Sequence, residues 1–112
     1  MDIAARRSDD QVIFDISGDI DLANSPAMRK TVLGEIKGRS SRKVLLNMSK
    51  VRYIDSSGIA SLVEGLKASR DNGTRLILYG MSPSVREVIE LSRLQKIFEI
   101  YDSEEQALSA KG

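Results

Sequence analysis

The sequence predicts an α/β fold, and three observations carry that prediction. Val44-Leu45-Leu46-Asn47-Met48 and Thr74 to Tyr79 are short apolar runs with the length of buried strands. Between them, Ile59, Leu62, Val63 and Leu66 recur at i, i+3, i+4 and i+7, one face of an amphipathic helix. Strand-like and helix-like patterns alternate along the rest of the chain, which favours parallel strand pairs joined by right-handed crossovers.

The elements follow in order. Met1 to Arg7 reads as a first strand and Ser8-Asp9-Asp10 as a turn. In Gln11 to Ser17, Val12, Phe14 and Ile16 alternate with Gln11, Asp15 and Ser17, broken only by Ile13, as in a half-buried strand. Gly18 to Asn24 is an Asp-rich connection. Ser25-Pro26 reads as an N-cap followed by proline in the first helical turn, where its missing N–H costs nothing. Met28, Val32, Leu33 and Ile36 give that helix an apolar face, and it stops near Gly38. Arg39 to Lys43 is a basic loop leading into the Val44 strand.

The helix carrying Ile59 runs to about Asp71 and ends at Asn72-Gly73. After the Thr74 to Tyr79 strand, Ser82-Pro83 repeats the cap-and-proline pattern, with Val85, Val88 and Ile89 facing inward. Gln95 to Tyr101 contains a short strand. Ser103 and Gln106 have the spacing of a capping box for the last helix. Lys111-Gly112 is expected to fray.

With 112 residues, 41% hydrophobic content and a net charge of +1, the chain is sized for one domain, residues 1–112, with its own core. The pI near 8, three Tyr, two Phe and no Trp argue against a nucleic-acid surface. The absence of Cys and His removes thiol nucleophiles, disulfides, Cys/His zinc sites and imidazole catalysis. No metal or other cofactor is expected. Met1-Asp2-Ile3 turns basic at Arg6 without the apolar core segment of a secretory signal, and no apolar run approaches a membrane span. A cytoplasmic protein without direct membrane insertion is the expectation.

The most informative stretch is Tyr53-Ile54-Asp55-Ser56-Ser57-Gly58-Ile59. It places two hydroxyls and a carboxylate where an extended segment becomes a helix. Backbone N–H groups are unpaired there, and the helix dipole favours negative charge. Capping alone explains one such side chain. Three in a row, followed by a glycine that removes bulk beside the last hydroxyl, also suit a phosphate, bound or covalently attached.

Asp55-Ser56-Ser57-Gly58-Ile59 resembles the signature of the STAS domain, in particular the small anti-sigma factor antagonists. The likeness extends in order along the chain. Ile16-Ser17-Gly18-Asp19-Ile20-Asp21 is similar to the family's early segment, Val44 to Met48 with Val51 to its central strand, and Gly73 to Leu78 to the next strand. Ser82 to Leu91 resembles its third helix, and Leu94, Ile97-Phe98, Ile100-Tyr101 and Ser103 to Leu108 its closing segment. The resemblance implies a central mixed sheet of four or five strands with helices packed mainly on one side.

It also implies a partner switch. The hydroxyl residue before the signature glycine, here Ser57, is the implied phosphorylation site, with Ser56 a second candidate. Asp21, Asp55, Ser56, Ser57, Gly58 and Ile59 are the implied partner-binding residues. The implied partners are an anti-sigma factor that is also a serine kinase of the histidine-kinase-like ATPase fold, and a serine phosphatase. Such a chain is a substrate and not an enzyme. The residues agree: Asp55 beside Ser57 without His or Lys is a poor base–nucleophile pair. There is no Gly-x-Ser-x-Gly elbow, phosphate-binding loop or dinucleotide fingerprint. Asp9-Asp10, Asp19/Asp21 and Glu104-Glu105 suit turns, caps and solvent. The alternative within the same resemblance is a non-enzymatic STAS subunit that binds the ATPase of a bacterial lipid-trafficking ABC transporter.

Overall fold

The computed structural model describes residues 1–38 and 41–110. The basic-loop expectation at Arg39 and the fraying expected at Lys111-Gly112 lie outside the described residues. The order is β1 (Asp2–Ser8), β2 (Gln11–Ser17), α1 (Ser25–Gly38), β3 (Lys43–Lys50), α2 (Ser56–Asp71), β4 (Arg75–Tyr79), α3 (Pro83–Leu91), β5 (Glu99–Tyr101) and α4 (Glu104–Ser109). The strands form one sheet in the order β1-β2-β3-β4-β5. β1 is antiparallel to β2, and every later neighbour is parallel. The first connection is a tight turn in which Asp9 takes φ 50°, a left-handed conformation Asp tolerates better than most residues. The parallel connections each carry a helix, as parallel pairing requires.

Both faces of the sheet are used, unequally. Val12, Phe14, Ile16, Val44, Leu46, Met48, Leu76 and Leu78 meet Met28, Val32 and Ile36 of α1, Leu62 and Leu66 of α2, and Val85 and Ile89 of α3. The opposite face holds a smaller cluster: Ile13, Leu45, Ile77 and Tyr79 beneath Ala107 of α4. Strand side chains alternate between faces, so Ile13, the residue that breaks the pattern of β2, is the one that packs under α4. The central runs of β3 and β4 lack polar alternation because both of their faces are covered.

Around the smaller cluster the second face is polar. Arg6 donates to Asp15 at 2.6 and 2.8 Å and to Glu104 at 2.6 Å. The Tyr79 hydroxyl donates to Glu104 at 2.7 Å. The Arg6 guanidinium holds both carboxyls below the usual carboxylate range. Burial and the carboxylate of Glu104 push the Tyr79 phenol up. Along β4 and β5, Arg75 pairs with Glu99, which also accepts from the Tyr101 hydroxyl at 2.7 Å.

The helix ends follow local chemistry. Ser82 Oγ accepts from the Val85 amide at 3.3 Å, with Pro83 opening α3. Ser103 Oγ accepts from Gln106 N at 3.2 Å, while the Gln106 side chain reaches back to the amide of Asp102, one residue before the cap. Gly73, at φ +69°, takes the left-handed position that ends α2. Ser25 departs from expectation. It is buried and lies inside α1, because the Asn24 carbonyl already accepts from Met28 N at 3.3 Å.

Candidate functional site

The site lies at the carboxyl ends of β2 and β3, the end at which open α/β sheets place function. There the chain beyond β2 stays beside the chain beyond β3. Gly18 N donates to Lys50 O at 3.1 Å, Ile20 N to Tyr53 O at 2.9 Å, and Asp55 N to Ile20 O at 3.2 Å. Ile20 and Ile54 form an isolated parallel bridge, and both side chains are buried. Two apolar side chains thus pull two loops into one unit before α2 begins.

Asp55 joins that unit to the helix. It is the N-cap of α2, in extended conformation at φ −109°, ψ −174°. Its Oδ1 accepts from the Gly58 amide at 3.0 Å, the expected capping bond. Its Oδ2 accepts from the Leu22 amide at 3.1 Å, across in the β2–α1 loop. Both carboxylate oxygens are therefore occupied by backbone donors, and the side chain serves as a clamp between loops. Asp21 has a local duty of the same kind. Its Oδ1 accepts from Asn24 N at 2.9 Å and its carbonyl from Ser25 N at 2.7 Å, which turns the chain into α1.

Ser56 and Ser57 occupy the first turn of α2 immediately after the cap. Ser56 is exposed and Ser57 half-buried. Neither hydroxyl engages in a hydrogen bond among the described residues, and both belong to the turn whose amides lack intrahelical acceptors. Free hydroxyls, unpaired amides and the positive end of a 16-residue helix favour an added anion.

Gly58 has an internal reason. A Cβ there would stand 2.4 Å from the Ile20 carbonyl oxygen, 2.7 Å from Ile54 Cγ1 and 2.8 Å from Ile20 Cγ2. The position admits only glycine because the β2–α1 loop passes against it. Sequence alone groups Gly58 and Ile59 with the partner-facing positions; the structure buries both. Ile59 is the first residue of the inner apolar face of α2, so these two hold the surface from beneath.

Two surface residues of the site escape sequence reasoning. Leu22 is 74% exposed and Tyr53 is 53% exposed, the first pinned through its amide to Asp55 and the second through its carbonyl to Ile20. They expose apolar area on backbone that is hydrogen-bonded to the loop leading into the serines. No local signal marks them: Leu22 stands between Ile20 and Ala23 and Tyr53 between Val51 and Ile54, so the pattern does not say which apolar residue of each loop is left outside. Ser84 Oγ approaches the Arg52 carbonyl at 3.4 Å, so the start of α3 borders the same surface. Beside it, Ser17, Gly18, Asp19, Ser49, Lys50 and Arg52 line an open groove.

A STAS domain profile matches residues 2–107. The chain is 28% identical over 98 residues to an anti-sigma F factor antagonist of Paenibacillus polymyxa, covering 88% of this chain and 84% of that one. A Thermotoga maritima structure, solved as a candidate anti-sigma factor antagonist, superposes with a TM-score of 0.88 at 27% identity, covering 95% of this chain and 91% of the other. The Bacillus cell fate determinant SpoIIAA in its phosphorylated form shares the fold, with a TM-score of 0.73 at 20% identity over 96% of each chain. The match spans nearly every described element and includes the loop at the start of α2: the chain belongs to the STAS domain family and is similar to anti-sigma factor antagonists.

Proposed function

We propose that this chain is a partner-switching protein controlled at Ser57. Unphosphorylated, it binds an anti-sigma factor that is also a serine kinase. The kinase transfers the γ-phosphoryl of its own ATP to Ser57 Oγ, the hydroxyl proton is lost, ADP forms, and the modified chain is released. A serine phosphatase restores the hydroxyl by hydrolysis. The observation that carries this reading is the unengaged Ser57 hydroxyl in the first turn of α2, next to a carboxylate whose two oxygens are both committed to backbone amides. A carboxylate so held anchors the loop and is poorly placed to act as a base, which suits an acceptor of phosphate better than a catalyst.

The docking surface consists of Ser56, Ser57, Leu22, Tyr53 and the carboxylates of the β2–α1 loop, Asp21 among them, with Gly58 and Ile59 supporting it. Phosphate on Ser57 adds roughly −1.5 to −2 charge beside Asp55. In the free chain, water and the helix N-terminus offset that charge. In a complex the same charge must be desolvated beside a carboxylate. A difference of about 2.7 kcal/mol between the two situations lowers affinity about a hundredfold.

The test is calorimetry of the purified chain against its cognate kinase, with Ser57 free, phosphorylated and replaced in Ser57→Ala. The free and Ser57→Ala forms are expected to bind alike and the phosphorylated form at least tenfold more weakly. Equal affinity of all three would remove the switch.

A further inference from the structure

We propose that Asn72-Gly73 is a site of spontaneous covalent modification: Asn72 deamidates through a cyclic imide, and the carboxylate so formed uncaps the far end of α2. Asparagine is thermolabile because the next backbone amide can attack its side chain. A following glycine suits that attack, since no Cβ shields the nitrogen. The chain has asparagine at positions 24, 47 and 72, and only Asn72 precedes glycine. In the reaction Gly73 N gives up its proton and bonds to Asn72 Cγ, the Cγ–Nδ2 bond breaks, and ammonia leaves. Water then opens the ring at either carbonyl, giving aspartate or isoaspartate.

The fold leaves this site reachable and restrains the other two. Asn72 and Gly73 are exposed, and a Cβ built on Gly73 would meet nothing within 4 Å. The Gly73 amide reaches the Arg70 carbonyl only at 3.4 Å, a long hydrogen bond. Asn24 is followed by buried Ser25, whose amide the Asp21 carbonyl holds at 2.7 Å. Asn47 lies within β3, its Nδ2 donating to Asp15 at 2.8 Å and its Oδ1 accepting from the Ser49 hydroxyl at 2.7 Å. One restraint acts at Asn72 itself. Its ψ of 4° eclipses Gly73 N with Asn72 N, whereas ring closure eclipses Gly73 N with Asn72 Cβ. The cap has to open first, and exposed helix ends open at little cost.

The product disturbs what Asn72 does now. Its backbone N and its Nδ2 both donate to the Ala68 carbonyl, at 3.0 and 2.7 Å. A carboxylate has no proton for that carbonyl, and it adds negative charge at the negative end of the helix, beside Asp71. Isoaspartate also lengthens the backbone where Gly73 takes φ +69°. The added charge cancels the net +1 of the chain, which favours association. Ser57 sits at the opposite end of the 16-residue helix, so the change weakens the fold and spares the hydroxyls.

The test incubates the purified chain at mildly alkaline pH, folded and in urea, and maps it with trypsin, which releases residues 71–75 as one peptide. In the folded chain, conversion at Asn72 is expected at least tenfold faster than at Asn24 or Asn47, with isoaspartate among the products. In urea, where the cap is gone, it is expected at least threefold faster again. The converted chain, separated by isoelectric focusing, is expected to unfold at a urea midpoint about 0.5–1 M lower, with faster amide exchange at Asn72 and unchanged exchange at Leu22 and Gly58. Asn72→Asp is expected to reproduce the lowered midpoint. Absence of isoaspartate at position 72, conversion there no faster than at positions 24 and 47, an equal rate in urea, or a converted chain with the parent midpoint would overturn the proposal.

Discussion

Gly58→Ala tests the coupling between the two loops that build the site. The added methyl carbon would lie 2.4 Å from the Ile20 carbonyl oxygen and 2.7 Å from Ile54 Cγ1. Ordinary contact for such a carbon begins at 3.4 Å, so the β2–α1 loop or the start of α2 must move by about 1 Å. Overpacking of this kind costs about 1–3 kcal/mol. The movement also strains two contacts of the loop, Asp55 N to Ile20 O and Leu22 N to Asp55 Oδ2, each worth about 1 kcal/mol. Against this stands the better helix propensity of Ala, up to about 1 kcal/mol. The net expectation is a loss of about 2–3 kcal/mol, read in urea as a midpoint lowered by about 1–2 M at unchanged slope. Gly34→Ala is the control. Nothing lies within 4 Å of a Cβ there, in the exposed face of α1, so it is expected to raise stability by about 0.5–1 kcal/mol. If Gly58→Ala matches the parent chain or exceeds it, the close approach of the Ile20 loop is not what fixes this glycine.

Three further outcomes are expected. Asp55→Ala removes the cap bond to Gly58 and the bond to Leu22, costing about 2 kcal/mol; amide hydrogen exchange is expected to speed up at Leu22 and Gly58 together, whereas loss at Gly58 alone would reduce Asp55 to a plain cap. The carboxyls of Asp15 and Glu104 are depressed by Arg6, so the stability they contribute is present above the ordinary carboxylate range and is lost as pH falls below about 4. Urea midpoints are expected to drop on that limb, and Arg6→Gln is expected to flatten it; an unchanged limb would place the acid sensitivity elsewhere. Leu22→Ala and Tyr53→Ala alter exposed side chains and are expected to change stability by less than about 0.5 kcal/mol, yet to weaken binding of the cognate kinase at least tenfold by calorimetry, as anchors at an interface do.

Much of the fold is legible in the sequence because its cues are local. The apolar runs of β3 and β4, the spacing from Ile59 to Leu66, and the caps at Asp55, Ser82 and Ser103 each announce themselves within a few residues. Ile13 is legible only once α4 is known to cross the second face, since a break in alternation does not say what covers it. Ser25 looks like a cap, but the turn closed by Asp21 starts the helix one residue earlier. At the site, a capping role for Asp55 is readable from type and position, while its second bond to Leu22 joins residues 33 apart and leaves no local trace. The same holds for Gly58, whose constraint comes from Ile20, and for Leu22 and Tyr53, whose exposure depends on how two loops are tied together. Burial of Ile59 follows from its own helical periodicity, so its place beneath the surface is the part of the site the sequence pattern does contain.

The central claim concerns one hydroxyl. The direct measurement is purification of the tagged chain, and of its Ser57→Ala variant, from the native host, followed by mass spectrometry of co-purifying proteins and of the peptide containing Ser56 and Ser57. A serine kinase retained by both forms, with phosphate on Ser57 of the parent chain alone, is the predicted result. A transporter ATPase in place of the kinase, with both serines unmodified, would contradict the switch and leave the two hydroxyls as helix-terminal contact groups.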